Sequence, residues 1–267
     1  MSKKRREIPT YSKIIETHFH LDMLKNLSEI DVLSHANQHN IEKMITISTS
    51  PDNLDRVISL ANRIPNIYCS QGLHPHEGSE WNDEVKNHVI KNLNTKNPKI
   101  VAVGEIGLDY YYSKSEHSLQ KISFEEQLQI ACDFNLPIIV HTRDADEDTK
   151  SILKNFSGLI KRKGVIHSFT SGIPLAEFCL SEGFSLGFNG IITFKNAENV
   201  RDALRITPLD RILLETDAPF LTPDPYRGVE NAPHYLPFIA EKIAEVKNVS
   251  IEELLPQIYN NSTRLFF

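Results

Sequence analysis

Ser123-Phe124-Glu125-Glu126-Gln127-Leu128-Gln129-Ile130-Ala131-Cys132-Asp133-Phe134-Asn135-Leu136-Pro137-Ile138-Ile139-Val140-His141 contains the unit from which the rest of the chain is built. Residues 123–134 carry apolar side chains at helical spacing, and Ser123 with Glu126 three residues on has the form of a capping box. Asn135-Leu136-Pro137 closes that helix, because the residue before a proline is pushed out of the α region. The apolar run 137–140 has no polar alternate, which suits a parallel strand covered on both faces. Its carboxyl end delivers His141, a side chain able to bind a metal.

Working outward, the same alternation recurs with little interruption. Strands are expected at 13–16, 43–48, 67–71, 100–104, 137–140, 164–166, 184–187 and 212–215. Helical patterns lie near 28–38, 52–63, 82–93, 123–134, 145–156, 174–181 and 197–204, with 235–246 and 251–259 after the last strand. Ser50-Pro51-Asp52 marks a helix start, since proline is tolerated in a first turn. Eight β/α alternations predict a TIM (β/α)8 barrel forming a single domain over 13–267, with a doubly wound open sheet as the alternative. No G-x-G-x-x-G follows a strand, which weakens the dinucleotide-binding form of that alternative. Residues 1–12 form a basic N-terminal tail, expected to be solvated.

Composition removes several classes. The 267 residues are 40% hydrophobic and 24% charged, ample for a core without a disulfide or zinc staple. Mean hydropathy is -0.31, and every apolar run is far short of the roughly 20 residues of a membrane span. Cys69, Cys132 and Cys179 are odd in number and widely spaced, which predicts reduced thiols rather than a disulfide framework. Met1-Ser2-Lys3-Lys4-Arg5-Arg6 lacks the apolar segment of an export signal, so a cytoplasmic location is expected. A net charge of -6 argues against a whole-surface nucleic-acid clamp but not against a nuclease, because bound cations add local positive charge.

The chemistry lies where the polar residues fall. His18 and His20 stand just past the first expected strand; an H-x-H pair at a strand end puts both imidazoles on one side of the pleat. Glu105 follows the strand 100–104, His141 the strand 137–140 and His167 the strand 164–166, and Asp217 comes two residues after the strand 212–215. In a barrel these carboxyl ends surround one mouth. Buried carboxylates there need a cation or hydrogen-bond partners. Two divalent ions are the natural arrangement, His18, His20 and Asp217 holding one, His141 and His167 the other, and Glu105 bridging both. Coordination lowers the pKa of a bound water toward 7, and Asp217 is positioned to act as its general base.

Glu16-Thr17-His18-Phe19-His20-Leu21-Asp22, Gly72-Leu73-His74-Pro75, Val103-Gly104-Glu105-Ile106-Gly107-Leu108-Asp109-Tyr110, His141-Thr142-Arg143, Ile166-His167-Ser168-Phe169 and Leu214-Glu215-Thr216-Asp217-Ala218-Pro219 together resemble the TatD-type metal-dependent deoxyribonucleases of the amidohydrolase superfamily. The resemblance covers about residues 13–263. It implies a TIM barrel with two divalent ions, Mg2+, Mn2+ or Zn2+, that hydrolyses phosphodiester bonds in DNA, at ends or in single strands. It also implies metal positions at His18, His20, Glu105, His141, His167 and Asp217, and substrate-phosphate contacts at His74, Arg143, Lys195 and Arg227. Glu16 departs from the family pattern, which has Asp before Thr/Ser-His-x-His.

Residue chemistry supports the phosphate reading for three of those positions. Lys195 follows the seventh strand and precedes a helix, whose N-terminal amides favour an anion; Arg227 follows the eighth strand, and Arg143 follows His141. Arginine offers a planar fork to phosphate oxygens. Tyr110, Tyr111 and Tyr112 can stack on bases or pack in the loop. Two other functions remain open: a hydrolase of another ester or amide bond, such as an aminoacyl-tRNA ester, and a non-catalytic metal-binding module. Many relatives in the superfamily bridge their metals with a carbamylated lysine, whereas here strand four leads to Glu105, which favours the nuclease-like branch.

Overall fold

In the computed structural model, which describes residues 5–267, eight parallel strands pair in chain order. They are β1 (Ile14–Phe19), β2 (Ile41–Thr46), β3 (Ile67–Gln71), β4 (Ile100–Asp109), β5 (Ile138–Arg143), β6 (Gly164–Ile166), β7 (Ser185–Phe188) and β8 (Ile212–Leu214). The helices α1 (Glu29–Gln38), α2 (Leu54–Arg63), α3 (Asp83–Asn94), α4 (His117–Phe134), α5 (Asp146–Phe156), α6 (Ile173–Ser181) and α7 (Glu198–Ile206) each connect one strand to the next. After β8 come α8 (Leu236–Lys247) and α9 (Ile251–Phe266). This is the expected TIM barrel, a single domain with its helices outside.

The inner face of the barrel is apolar below its mouth. Ile45, Ile47, Val101, Ala102, Ile139, Val165 and Leu213 pack against one another and against Phe266, which α9 brings to them. Phe267 lies against Tyr68, 4.6 Å between ring centroids, and Lys43 sits 4.0 Å above its ring. Because Lys43 and Tyr68 lie near the amino ends of β2 and β3, the Phe266-Phe267 pair closes the end opposite the mouth. Side chains alternate along a strand, so Ile139 and Val165 place His141 and His167 above them on the same inner face.

Each neighbour from β1 to β8 is joined by a strand ladder, while β8 and β1 are joined mainly by single bonds. Thr17 Oγ1 donates to the Leu214 carbonyl at 3.0 Å, the Asp217 amide to the His18 carbonyl at 2.9 Å and the His20 amide to the Ala218 carbonyl at 2.7 Å. Glu16 completes the join. Its carboxylate accepts from the His18 amide at 3.1 Å, the Thr216 amide at 2.9 Å and the Thr216 hydroxyl at 2.6 Å. The residue that departs from the family pattern is therefore a structural clip between the first and last strands.

Element ends differ from expectation in informative ways. β4 runs five residues further than read, through Gly104 and Gly107, and shifts register between Val103 and Ile106. Gly107 sits at φ 138°, and a Cβ there would lie 1.9 Å from the His141 carbonyl oxygen. These glycines let two strands approach closely rather than ending one. Helix α4 begins at His117, so Ser123 is not its cap: its hydroxyl accepts from Gln127 Nε2 at 2.9 Å within the helix. Asn135 does end α4, in the left-handed conformation at φ 52°. Ser28 and Asp31 supply the capping box at the start of α1.

Residues 1–4 of the basic tail lie outside the described residues. From Arg5 the segment runs along α8: Arg6 pairs with Glu241, Tyr11 donates its hydroxyl to Glu241 at 2.6 Å, and Arg5 lies 5.5 Å over Tyr226. Among the described residues no helix is long and apolar enough to cross a membrane.

Candidate metal centre

The six residues singled out at successive strand ends converge. His18 lies within β1, Glu105 within β4 and His141 within β5; His20, His167 and Asp217 follow β1, β6 and β8. Glu105 stands at the middle. Its Oε2 is 3.3 Å from His18 Nε2, while its Oε1 is 3.0 Å from His141 Nδ1 and 3.3 Å from His167 Nε2. Asp217 Oδ1 lies 3.4 Å from His20 Nε2 and 3.7 Å from His18 Nε2. One carboxylate thus faces two groups of donors, one on each oxygen.

His74, expected at the substrate phosphate, lies beside Glu105. Its Nε2 is 3.4 Å from Glu105 Oε1, and His74, Glu105 and His141 form one of the clusters close enough to share an ion. His18, His20 and Glu105 form another, and His18, His167 and Glu215 a third. Divalent cations fit this donor set. Both ring nitrogens of His18 and Nδ1 of His20 are buried without a hydrogen-bond partner, and an unpaired buried polar atom costs about 1–3 kcal/mol. A lone pair turned toward a cation removes that cost.

Mutual charge orders the protonation of the cluster. Burial works against ionising Glu105, but the surrounding His167, His74 and His18 outweigh it and hold the carboxyl well below its usual range. Burial raises Asp217 too, and the hydrogen bond from His20 with the nearby histidine charges brings it below the ordinary carboxylate value. Despite burial, His167 is held well above the usual imidazole value by Glu105 and Glu215, and His141 is raised by its bonds to Asp109 and Glu105. Burial, with the charge of His167, lowers His18. Burial, opposed by Glu105 and reinforced by His141, lowers His74 to about 4.

The other candidate substrate residues fall on two adjoining cavities. Arg143 lies 4.0 Å over the Tyr111 ring and 4.8 Å over Tyr112, in a cavity shared with Asp144, Asp146 and Asp148. Lys195 and Arg227 line a second cavity with Phe194, whose ring carries the Arg227 guanidinium at 4.0 Å. Thr170 borders both cavities. The three cations therefore flank a rim rather than form one cluster. Tyr111 and Tyr112 are more than half exposed, as is Phe220, whose ring lies 6.1 Å from that of His20.

Buried carboxylates stand behind the histidines. The sequence places Glu215, Asp109 and Glu77 near the same mouth, with Glu215 either orienting a metal ligand or simply ending its strand, but assigns none of them a partner. Glu215 Oε1 accepts from His167 Nδ1 at 3.1 Å and from the Ser168 amide at 2.6 Å. Asp109 Oδ2 lies 3.2 Å from His141 Nε2 and 3.0 Å from His76 Nε2. An acid at the end of β4 and another just past β8, beside motif residues, was the available sign. His234, after β8, packs against His35 on α1, 4.9 Å between ring centroids.

Comparison with known proteins gives a consistent picture. The family described as TatD related DNase matches residues 15–267. The chain is 37% identical over 254 residues to an uncharacterized metal-dependent hydrolase, YabD, of Bacillus subtilis, covering 95% of this chain and 98% of that protein. It is 35% identical over 242 residues to a protein of Erwinia tasmaniensis named 3'-5' ssDNA/RNA exonuclease TatD, covering 88% of this chain and 92% of that one. Among solved structures, the TatD homolog YjjV of Escherichia coli K12 superposes with a TM-score of 0.90 at 31% identity, covering 95% and 97% of the two chains.

Proposed function

The chain belongs to the TatD-related DNase family of metal-dependent hydrolases, and from that premise we propose that it hydrolyses phosphodiester bonds of DNA, at ends or in single strands. The observation that carries this reading is Glu105, whose two oxygens face separate nitrogen donors, His18 on one side and His141 with His167 on the other. A carboxylate so placed would suit a bridge between two ions. His18, His20 and Asp217 would hold one and His141 and His167 the other, with Glu105 common to both. Bound Mg2+, Mn2+ or Zn2+ supplies Lewis acidity at the scissile phosphate and acidifies the attacking water.

The chain's own residues do the rest. Asp217, held below the usual carboxylate range, is ionised at any working pH and takes the proton of the attacking water. His74, buried and kept neutral near pH 7, sits beside Glu105 and can bond a phosphate oxygen or join the ligands. Arg143 and the pair Lys195 and Arg227 offer cations to the neighbouring phosphates on either side of the rim. The exposed rings of Tyr111, Tyr112 and Phe220 suit unpaired bases, which stack on aromatic faces regardless of sequence. The name of the Erwinia relative, an exonuclease for single strands, agrees with that reading.

The test is incubation of fully metallated protein with end-labelled single-stranded DNA and Mg2+ or Mn2+, with and without EDTA. Metal-dependent release of nucleotides is expected, and Asp217→Asn should lower kcat by roughly 10²–10⁴-fold. Protein that carries its ions yet leaves DNA intact, while cleaving a panel ester or amide, would replace this reading with the other branch.

A further inference from the structure

We propose that Asp109 is a positioning residue that fixes the tautomer of His141, so that Nδ1 is the nitrogen offered to an ion at Glu105, and that ties this ligand to the rim of the cleft. The inference rests on the metal centre proposed above but not on the identity of the substrate.

Asp109 is the last residue of β4 and only 1% exposed, yet its carboxylate does not point at the candidate ions. It is held from all sides. Oδ1 accepts the Tyr112 amide at 2.9 Å, the Asp109 amide donates to Gln120 Oε1 at 2.8 Å, and Gln120 Nε2 returns a bond to the Asp109 carbonyl at 3.1 Å. Gln120 is itself fully buried on α4. The remaining oxygen, Oδ2, therefore has a fixed place, and two imidazoles meet it: His141 Nε2 at 3.2 Å and His76 Nε2 at 3.0 Å.

The two nitrogens of an imidazole point in different directions and carry different roles. His141 has Glu105 Oε1 at 3.0 Å from Nδ1 and Asp109 behind Nε2. A cation held between Glu105 and His141 needs the lone pair of Nδ1, which leaves the proton on Nε2 and requires an acceptor there. Asp109 is that acceptor. Carboxylates behind metal-bound histidines orient the ring and raise its basicity. The same design appears on the neighbouring ligand in mirror form: His167 turns Nε2 toward Glu105 and is held at Nδ1 by Glu215. Each of these two histidines thus has its own buried anion, and opposite nitrogens are freed.

The shared oxygen adds a second consequence. His76 is partly exposed, with 19% of its side-chain surface accessible, and its ring meets Tyr112 edge to face at 5.5 Å. Tyr112 in turn lies under Arg143. Asp109 therefore holds the ligand His141, the rim residue His76 and the backbone of the aromatic loop with one group.

The experiment uses full-length protein and Zn2+ alone. In Zn2+-loaded wild type with 15N-labelled histidine, long-range 1H–15N spectra should show His141 as the Nε2–H tautomer. Asp109→Asn presents an amide that can donate to Nε2, so the weaker of the two Zn2+ affinities should fall roughly 10–100-fold in competition with a chelator, with the far-UV circular dichroism unchanged. His76→Gln, which leaves the carboxylate in place, should keep the Zn2+ affinities of wild type. An Nδ1–H tautomer for His141 in the loaded wild type overturns the proposal, even if Asp109→Asn fails to fold. So do unchanged affinities in Asp109→Asn. Wild type that takes up no Zn2+ removes the metal centre itself, an outcome distinct from either.

Discussion

His18 and His167 lie face to face with 3.6 Å between ring centroids, a contact that two imidazolium cations would not tolerate. Their surroundings separate the two rings in proton affinity: despite burial, His167 is raised by Glu105 and Glu215, while His18 is lowered by burial and by His167. A comparable effect operates at His234, on the segment between β8 and α8. Burial, with the charges of His35 and His39 as further causes, lowers its pKa to about 4. An unfolded histidine titrates near 6.5, so the unfolded chain binds a proton that the folded chain refuses between these values. Stability is therefore full above pH 6.5 and drains as the pH falls toward 4. The loss attributable to this group is at most about 3 kcal/mol. Denaturant melts at pH 7 and pH 5 should show a shallower decline for His234→Leu than for wild type; equal slopes would remove His234 from the account.

At the level of strands, small residues decide what the mouth can hold. Gly187 on β7 faces the Glu215 carboxylate, and a Cβ there would lie 2.5 Å from Oε2. Glu215 cannot retreat without giving up its bonds to His167 Nδ1 and the Ser168 amide. Gly187→Ala should therefore cost roughly 1–3 kcal/mol, the usual range for overpacking, and weaken the ion on the His167 side; chemical denaturation and a Zn2+ titration read the two effects. Legibility from sequence divides along the same line. The strands and the meeting of His18, Glu105, His141, His167 and Asp217 could be read because period-two alternation and strand ends are local patterns. Glu215 could be read as able to orient a metal ligand, but its pairing with His167, like that of Asp109 with His141 and Glu16 with Thr216, could not, because each is a bond between segments far apart in the chain. The full length of β4 was not legible for a related reason: the close approach that Gly107 permits, a Cβ there lying 1.9 Å from the His141 carbonyl oxygen, is made to another strand.

The molecule as a whole should be steadied by what it binds. A ligand that favours the folded state stabilises it by about 2.7 kcal/mol at 100 times its Kd, which for a chain of this size is roughly 5–10 °C in Tm. Saturating Zn2+ should raise Tm by that order and EDTA should reverse it; a melting curve indifferent to both would argue that the centre holds no ion. Where the gain is felt follows from the way the cylinder is closed. His18 and His20 come from the first strand and Asp217 from just beyond the last, so a cation gripped between them crosses the join that relies on Glu16, Thr17 and Thr216 instead of a ladder. The ion is then a clasp as much as a reagent. Stripping it should free the amide hydrogens of His20 and Asp217 to exchange with solvent long before those at the centre of β5, and the barrel would unbuckle at the place where it does its chemistry.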